Sequence, residues 1–532
     1  MIYNRVMESR LPIGIQDFVK IRENNYHYID KTIYIHRLTS GSGGAFFLSR
    51  PRRFGKSLLI STMEAFFKGQ KDLFTGLFIY DKAEWSISYP VIKLDWTSVG
   101  HSTRKQMEDG MIEILKRIGK SYQIELNQSE NAAMVFEHLI YSLHEKTGRK
   151  AVVLIDEYDV PILDNLKEPG EVLEPIREFL QGFYRILKAS DEHLQFVFLT
   201  GITKFAKVSV FSALNNLVDI TMDRDYAAIC GWTQDEIETN FEPYIDLMAK
   251  ENNSTRQEVL DAIQYWYNGF SWDGDVFVYN PFSTLLLFSK KVFDNYWFAT
   301  ATPAFLIEVI KERNDIKCVL CPSEIVGTSF NSFDYKTLDT KLLLFQTGYL
   351  TIKNVKTGRL GVPPVYTLDV PNNEVRNSLL EYMVSSYASY PLTDTVILRD
   401  RMRQQLLNGE DTSFEESVKE LFAGIPYQLH IPKEAYYHSL ILLWLTLLGF
   451  EIQGEVSTNK GRIDAVWKLE EQVIITEVKF ANEGDTDRLI QDAFKQIYEA
   501  GYYERYKSRK TTLLAIGIAG KKISCKITQL PL

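Results

Sequence analysis

A chain of 532 residues with 45% hydrophobic and 24% charged side chains has the composition of an ordinary globular protein, which excludes a disordered one. Its length exceeds what one hydrophobic core supports, so roughly three or four structural units are expected. A formal charge of −9 excludes a basic surface over the whole protein, and four cysteines in so long a chain exclude a disulfide framework and point to a reducing compartment.

The amino terminus, MIYNRVMESRLPIG, lacks the apolar stretch and small-residue cleavage site of a secretory signal. No apolar run is long enough to span a bilayer, so no membrane partner is expected and the cytoplasm is the default location. From Gly44 to about Asp235, short apolar runs (GAFFLS, YPVIKLDW, KAVVLIDEYD, LQFVFLTG, LVDITM) alternate with segments of helical period. That alternation predicts an α/β core over residues 1–235, a parallel sheet covered on both faces. WTQDEIETNFEPYIDLMAK and STRQEVLDAIQYWY then read as capped amphipathic helices of a lid over 236–285, closed by a hairpin in WYNGFSWDGDVFVYNP. Residues 286–425 read as helical around one block, KLLLFQTGYLTIKNVKTGRLGVPPVYTLDVPNNEVRNSLLEYM, whose helix, two strands and helix follow the order of a winged helix. The acidic balance favours a packing module over a DNA reader there. Residues 426–532 run helix, hairpin, helix, strand, a compact α/β unit, with SLILLWLTLLGF as a buried helix. Cys318 and Cys321 form one C-x-x-C without a second pair, hence a structural feature and no zinc site.

Two constellations carry chemistry. In the first, GAFFLSRPRRFGKSLLISTMEAFF sets a strand, a tight loop and a helix in the order of a phosphate-binding loop, although Arg50 stands where the first glycine is usual. Gly55 lets the backbone approach phosphate, Lys56 reaches the β and γ phosphates, and Ser57 can ligate magnesium at a helix N-terminus. The strand KAVVLIDEYD ends in Asp156, suited to magnesium, and Glu157, suited to polarising an attacking water. Adjacent carboxylates at a strand end are costly without a cation, so ATP and Mg2+ are the expected ligands. Thr200, closing LQFVFLTG, is placed to sense the γ phosphate or else to satisfy its own strand end. Arg52, Arg53 and Arg224 are candidates for charge near the nucleotide, although spacing alone does not separate them from surface arginines.

The segments LPIGIQDF, YIDKT, FLSRPRRFGKS, LIDEYD, TGITKF, LNNLVDIT, YNGF and YNPFS, in that order over about residues 8–285, resemble the bacterial AAA-ATPase-like domain that accompanies a PD-(D/E)XK nuclease domain. The resemblance implies a P-loop NTPase of the ASCE/AAA-like kind and makes the arginine-rich loop a feature of the family. It also implies that such proteins serve in defence against foreign DNA or in mobile-element biology. Homo-oligomeric rings are common among AAA-like modules, so a homo-oligomer is an open expectation with no arginine assignable as a finger. Asp30 and Lys31 of YIDKT acquire no role from it.

In the second constellation, GRIDAVW and VIITEVKF form a hairpin with Asp464 on one strand, and with Glu477 and Lys479 two apart on one face of the next. Two acidic groups suit Mg2+ or Mn2+, and a lysine beside them can orient or deprotonate water and offset charge on a pentavalent phosphate. Glu434 on a preceding helix and Gln496 on a following one complete an order that resembles the PD-(D/E)XK phosphodiesterase core, over about residues 430–506. That resemblance implies that Glu434 joins the metal shell and Gln496 supports the site, with nucleic acid, DNA by the habit of the superfamily, as substrate. His438 reads as a helix-surface residue. Tyr503 and the basic residues after it are candidates for substrate contact, though a charge run is more often a solvated face.

The leading expectation is therefore an ATP-dependent or ATP-regulated metal-dependent nuclease. The alternative is a nucleotide-dependent signalling or scaffold switch whose last domain binds nucleic acid or a protein without cutting. A DNA-translocating motor would require a long basic channel that the charge of −9 does not advertise.

Overall fold

Each of the five apolar runs in the first part of the chain contains a strand: GAFFLS and LQFVFLTG are strand over their whole length, and the other three in part. In the computed structural model these are β1 (Gly44–Ser49), β2 (Val91–Asp95), β3 (Ala151–Asp156), β4 (Leu194–Gly201) and β5 (Leu217–Asp219). They make one parallel sheet in the order β2-β3-β4-β1-β5. The run LVDITM stops early because the Asp219 carboxylate accepts the Thr221 amide at 3.0 Å, which turns the chain after three strand residues. The structure describes residues 10–41, 44–126, 131–165, 168, 170–204, 216–297, 304–313, 315, 317–331, 339–359, 361–388, 392–423, 441, 443–448, 451–454, 457–458, 461–462, 465–469, 472–506, 508–520 and 522–530. Two compact units divide the chain, one of Met1–Ala301 with Glu324–Glu374 and one of Thr302–Ser323 with Val375–Leu532.

In the first unit the sheet is covered as an apolar parallel sheet must be, with Ala151 to Ile155 fully buried. Helix α1 (Phe18–Glu23) precedes α2 (Thr32–Thr39), and α3 (Lys56–Phe67) packs on β2 and β3. The long helices α4 (Arg104–Ser121), α5 (Ala132–Thr147) and α6 (Gly170–Ala189) pack on one another, with α5 also touching β3. Strand β4 lies between β1 and β3, with Leu48 opposite Thr200 and Leu199 opposite Ile155. The carboxyl ends of the three central strands are thus level, at the edge where an open parallel sheet receives its ligand.

The predicted first lid helix is two helices, α7 (Gln234–Asn240) and α8 (Glu242–Glu251). The break falls at Phe241, whose φ of −121° is not helical, with Pro243 placed in the first turn of α8. With α9 (Arg256–Tyr267) and α10 (Pro281–Lys290) they bury a core that includes Ile237, Phe241, Ile263 and Leu287, and Ile29 of the amino-terminal segment joins it. Thr233 and Thr255 open α7 and α9 with capping boxes completed by Glu236 and Glu258. The later block contains α11 (Thr340–Thr347), the antiparallel pair β6 (Thr351–Lys356) and β7 (Val365–Asp369), and α12 (Asn373–Ala388), within which the division of the two units falls.

The second unit contains α13 (Leu392–Asn408), α14 (Asp411–Ala423) and a five-stranded sheet. Its strands are β8 (Glu451–Gly454), β9 (Ala465–Leu469), β10 (Gln472–Ala481), β11 (Lys510–Ala519) and β12 (Lys522–Leu530), in the order β12-β11-β10-β9-β8. Only the β10–β11 pair is parallel, and its crossover is α15 (Thr486–Ala500), which packs on both strands. Ile490, Ala493 and Ile497 repeat at helical spacing and are buried, while Asp485 and Gly501 cap the two ends of α15. Within SLILLWLTLLGF the described residues Ile441, Leu443 to Leu445, Leu447 and Leu448 are buried apolar side chains. Among the described residues no helix is long and apolar enough to cross a membrane.

Candidate functional sites

The loop after β1 is held from below. Arg50, at the position of the missing glycine, is completely buried, and its guanidinium donates to the carbonyls of Ser49 and Thr221 at 2.9 Å and of Tyr226 at 3.2 Å. It also lies 3.9 Å from the ring centre of Trp272. Burial lowers its pKa to about 10, which leaves it charged at neutral pH. Arg50 is therefore an anchor under the loop, and the arginines that reach solvent are Arg52 and Arg53. Arg53 turns with φ of +68° and sets its guanidinium 4.3 Å from the ring centre of Phe282, while the Arg52 carbonyl accepts the Trp297 indole at 3.0 Å.

Gly55, with φ of +90°, turns the loop into α3, a conformation that a side chain would strain. Lys56 follows, 4% exposed, with its ammonium 3.2 Å from the Pro51 carbonyl and 3.3 Å from a Glu157 carboxylate oxygen. Glu157 itself has φ of +49°, rare for a non-glycine residue, so the chain turns sharply where β3 ends. Arg52, Arg53, Gly55, Lys56, Ser57 and Glu157 all line one cleft. Its other walls come from the amino-terminal segment, from Ile229 to Trp232, and from the start of α10.

Asp156 is buried, and its pKa is pushed up to about 6, first by burial and then by the neighbouring charge of Glu157, against a hydrogen bond with Ser57 and the charge of Lys56. A buried carboxylate beside a hydroxyl and a second carboxylate is the oxygen donor set a hard divalent cation takes, so Ser57 and Asp156 fit magnesium. Thr200 is fully buried and its hydroxyl has no partner in the structure. The end of β4 is tied to the turn after β3 by Asp159, which accepts the Ile202 amide at 3.1 Å and the Thr203 amide and hydroxyl at 2.7 and 2.6 Å. The Tyr158 hydroxyl donates to the Thr203 carbonyl at 2.7 Å. Arg224 stands apart, 76% exposed and paired with Asp275 at 2.8 Å.

In the second unit, Glu477 and Lys479 share a face of β10, and the Lys479 ammonium donates to Glu477 at 2.9 Å and to the Gln496 side-chain carbonyl on α15 at 2.5 Å. Glu477 is 1% exposed and Lys479 29%, so the carboxylate sits at the floor and the ammonium nearer the surface. Asp464 and Glu434 lie outside the described residues, as does His438. Among the described residues no group of three or more His, Cys, Asp and Glu side chains is gathered as for a metal, and Glu477 stands beside Lys479. All four cysteines are free thiols.

Sequence reasoning passed over Asp159, Thr203, Trp297 and Glu236, and left Lys31 without a role. Trp297 and Glu236 are remote in the chain from the loops they hold, and only the apolar-to-polar switch in LIDEYD signalled that Asp159 lies at a strand end.

The family model described as a predicted AAA-ATPase matches residues 12–211, and that of the PD-(D/E)XK nuclease superfamily matches residues 432–529. A protein of Azotobacter chroococcum mcd 1, described as an uncharacterized protein in the vnfD 5' region, is 36% identical over 518 residues, 96% of each chain. Solved structures of two Aeropyrum pernix proteins show a faint likeness. ORC1 in complex with DNA is 13% identical with a TM-score of 0.26, covering 66% of this chain and 91% of that one. ORC2 with ADPNP and ADP is 11% identical with the same score, covering 66% and 92%. Likenesses so low carry no argument about function.

Proposed function

The chain belongs to the family of bacterial proteins that join an AAA-ATPase-like domain to a PD-(D/E)XK nuclease-like domain, and from that membership we propose that it is an ATP-regulated, metal-dependent nuclease acting on DNA. The observation that carries the reading is the gathering of Lys56, Ser57 and Glu157 in one cleft, with Asp156 buried behind them, above a parallel sheet. Gly55 and the N-terminus of α3 present backbone amides to phosphate, Lys56 offsets the charge of the β and γ oxygens, and Glu157 orients the attacking water. The insertion of β4 between the loop strand and the acidic strand supports the AAA-like reading, with Thr200 as the polar group at its end.

In the second unit Glu477 is the metal-holding carboxylate, and Asp464, on sequence grounds, is the second. Lys479, held by Glu477 and Gln496, orients the attacking water and offsets the negative charge on the phosphoryl oxygens. Magnesium, when bound at either place, supplies Lewis-acid stabilisation of the phosphoryl oxygens.

The test is cleavage of plasmid, linear and single-stranded DNA, and of RNA, with magnesium or manganese, with and without ATP. Glu477→Ala should lose cleavage by about 100-fold or more while keeping ATP binding, and Lys56→Ala should lose ATP binding and the ATP response. Equal activity of wild type and Glu477→Ala removes the nuclease reading, and undiminished ATP binding by Lys56→Ala removes the nucleotide reading.

A further inference from the structure

The YIDKT motif takes no part in the chemistry described above, yet it lies in the wall of the same cleft. Asp30 is occupied locally: one oxygen accepts the Thr32 amide at 2.8 Å and its hydroxyl at 2.7 Å, and the other accepts the Phe78 amide at 2.6 Å. Lys31 is different. It lines the cleft with Lys56 and Ser57, and its ammonium donates to both carboxylate oxygens of Glu236 at 2.7 Å. Its side chain is 12% exposed, and an ammonium so buried is costly unless paired.

The two ends of this pair belong to different elements of one compact unit, the amino-terminal segment and the four-helix block. The segment that carries Lys31 is fixed to the sheet core, because the Phe18 amide donates to the Ser61 hydroxyl on α3 at 2.9 Å and the Ile79 amide donates to Thr32 at 3.2 Å. Glu236 opens the four-helix block, where the same carboxylate accepts the Thr233 amide at 2.8 Å. That block also supplies Pro281, Phe282 and Leu285 to the cleft. Apolar packing of Ile29 and Ile13 joins the segment and the block as well, but such contact lets surfaces slide. A bidentate charge pair fixes one register.

We propose that the Lys31–Glu236 pair is a latch that closes the four-helix block over a nucleoside triphosphate and sets how long it stays bound. The latch rests on the nucleotide reading given above. Opening the cleft rehydrates both charges, so the pair loads the dissociation step more than the encounter.

Displacement of a ribose-labelled fluorescent ATP analogue from the full chain in magnesium buffer, followed by stopped flow, measures the off-rate. Lys31→Met keeps the apolar stem and Glu236→Gln keeps the capping box, and each should release the analogue about fivefold faster or more. The double variant should be no faster than the singles, and Lys31→Arg should stay within about twofold of wild type. Wild-type binding with unchanged off-rates in both single variants overturns the latch and leaves the nucleotide reading standing. Failure of the wild type to bind the analogue overturns both. Should melting show Lys31→Met to be unfolded, Glu236→Gln decides alone, since that side chain is 25% exposed and loses only its charge.

Discussion

At the scale of single residues the phosphate loop shows how a residue that looks like damage in a sequence can be an anchor in a fold. Arg50 lacks the freedom of glycine, but its guanidinium donates to the buried carbonyls of Ser49 and Thr221, and to that of Tyr226, which also takes the Ile229 amide. Restoring the usual motif by Arg50→Gly should therefore harm the protein. We expect a loss of roughly 3 kcal/mol or more, from orphaned carbonyls and the lost stack on Trp272, read as a lower urea midpoint of the first unit. A midpoint equal to or above wild type would show that the loop does not depend on this anchor. The sequence marked Gly55, Lys56, Ser57, Asp156 and Glu157 because their chemistry is local. It could not mark Arg50 as an anchor, since Thr221 and Tyr226, whose carbonyls it holds, lie far along the chain.

Between elements, legibility depended on periodicity. Continuous apolar runs announced β1, β3 and β4 with nearly correct ends, and the alternation around VIITEVKF announced the hairpin that bears Glu477 and Lys479. Strands β8 and β12 went unread, β12 because lysines break its apolar pattern at an edge of the sheet, where one side is exposed. The joint among α10, the segment before Ala301 and α12 was also silent. There the Glu374 carboxylate accepts the Trp297 amide at 2.7 Å and the Ser283 hydroxyl at 2.9 Å, and the Trp297 indole in turn holds the Arg52 carbonyl. Burial pushes the pKa of Glu374 up from the ordinary carboxyl value of 4.5 to about 8. The unfolded carboxyl loses its proton near pH 4.5 while the folded one keeps it to about pH 8, so the first unit loses stability as pH rises through that window. Glu374→Gln keeps an acceptor and removes the titration. It should flatten the dependence of melting temperature between pH 5.5 and about 8 and raise the melting temperature at the upper end by several degrees. A variant whose pH profile overlays that of wild type would place the titration elsewhere.

For the whole molecule, the chain holds two compact units, each with its own sheet and core, and each contains one of the two constellations. Separate cores need not melt together, and a ligand shifts only the equilibrium of the unit that binds it. Calorimetry should resolve two transitions. ATP with magnesium should raise one by several degrees in wild type and not in Lys56→Ala, whereas manganese alone should act on the other and fail in Glu477→Ala. A single transition that moves as one with either ligand would mean that the units are not independent. The division between units falls inside α12, a boundary no composition shift in the sequence announced. Arg50 adds a consequence for how natural variants are read. Because the loop is tethered to Trp272 and to the turn around Tyr226, a substitution at either of those distant positions is, by address, remote from the nucleotide, and by effect, a lesion of its loop.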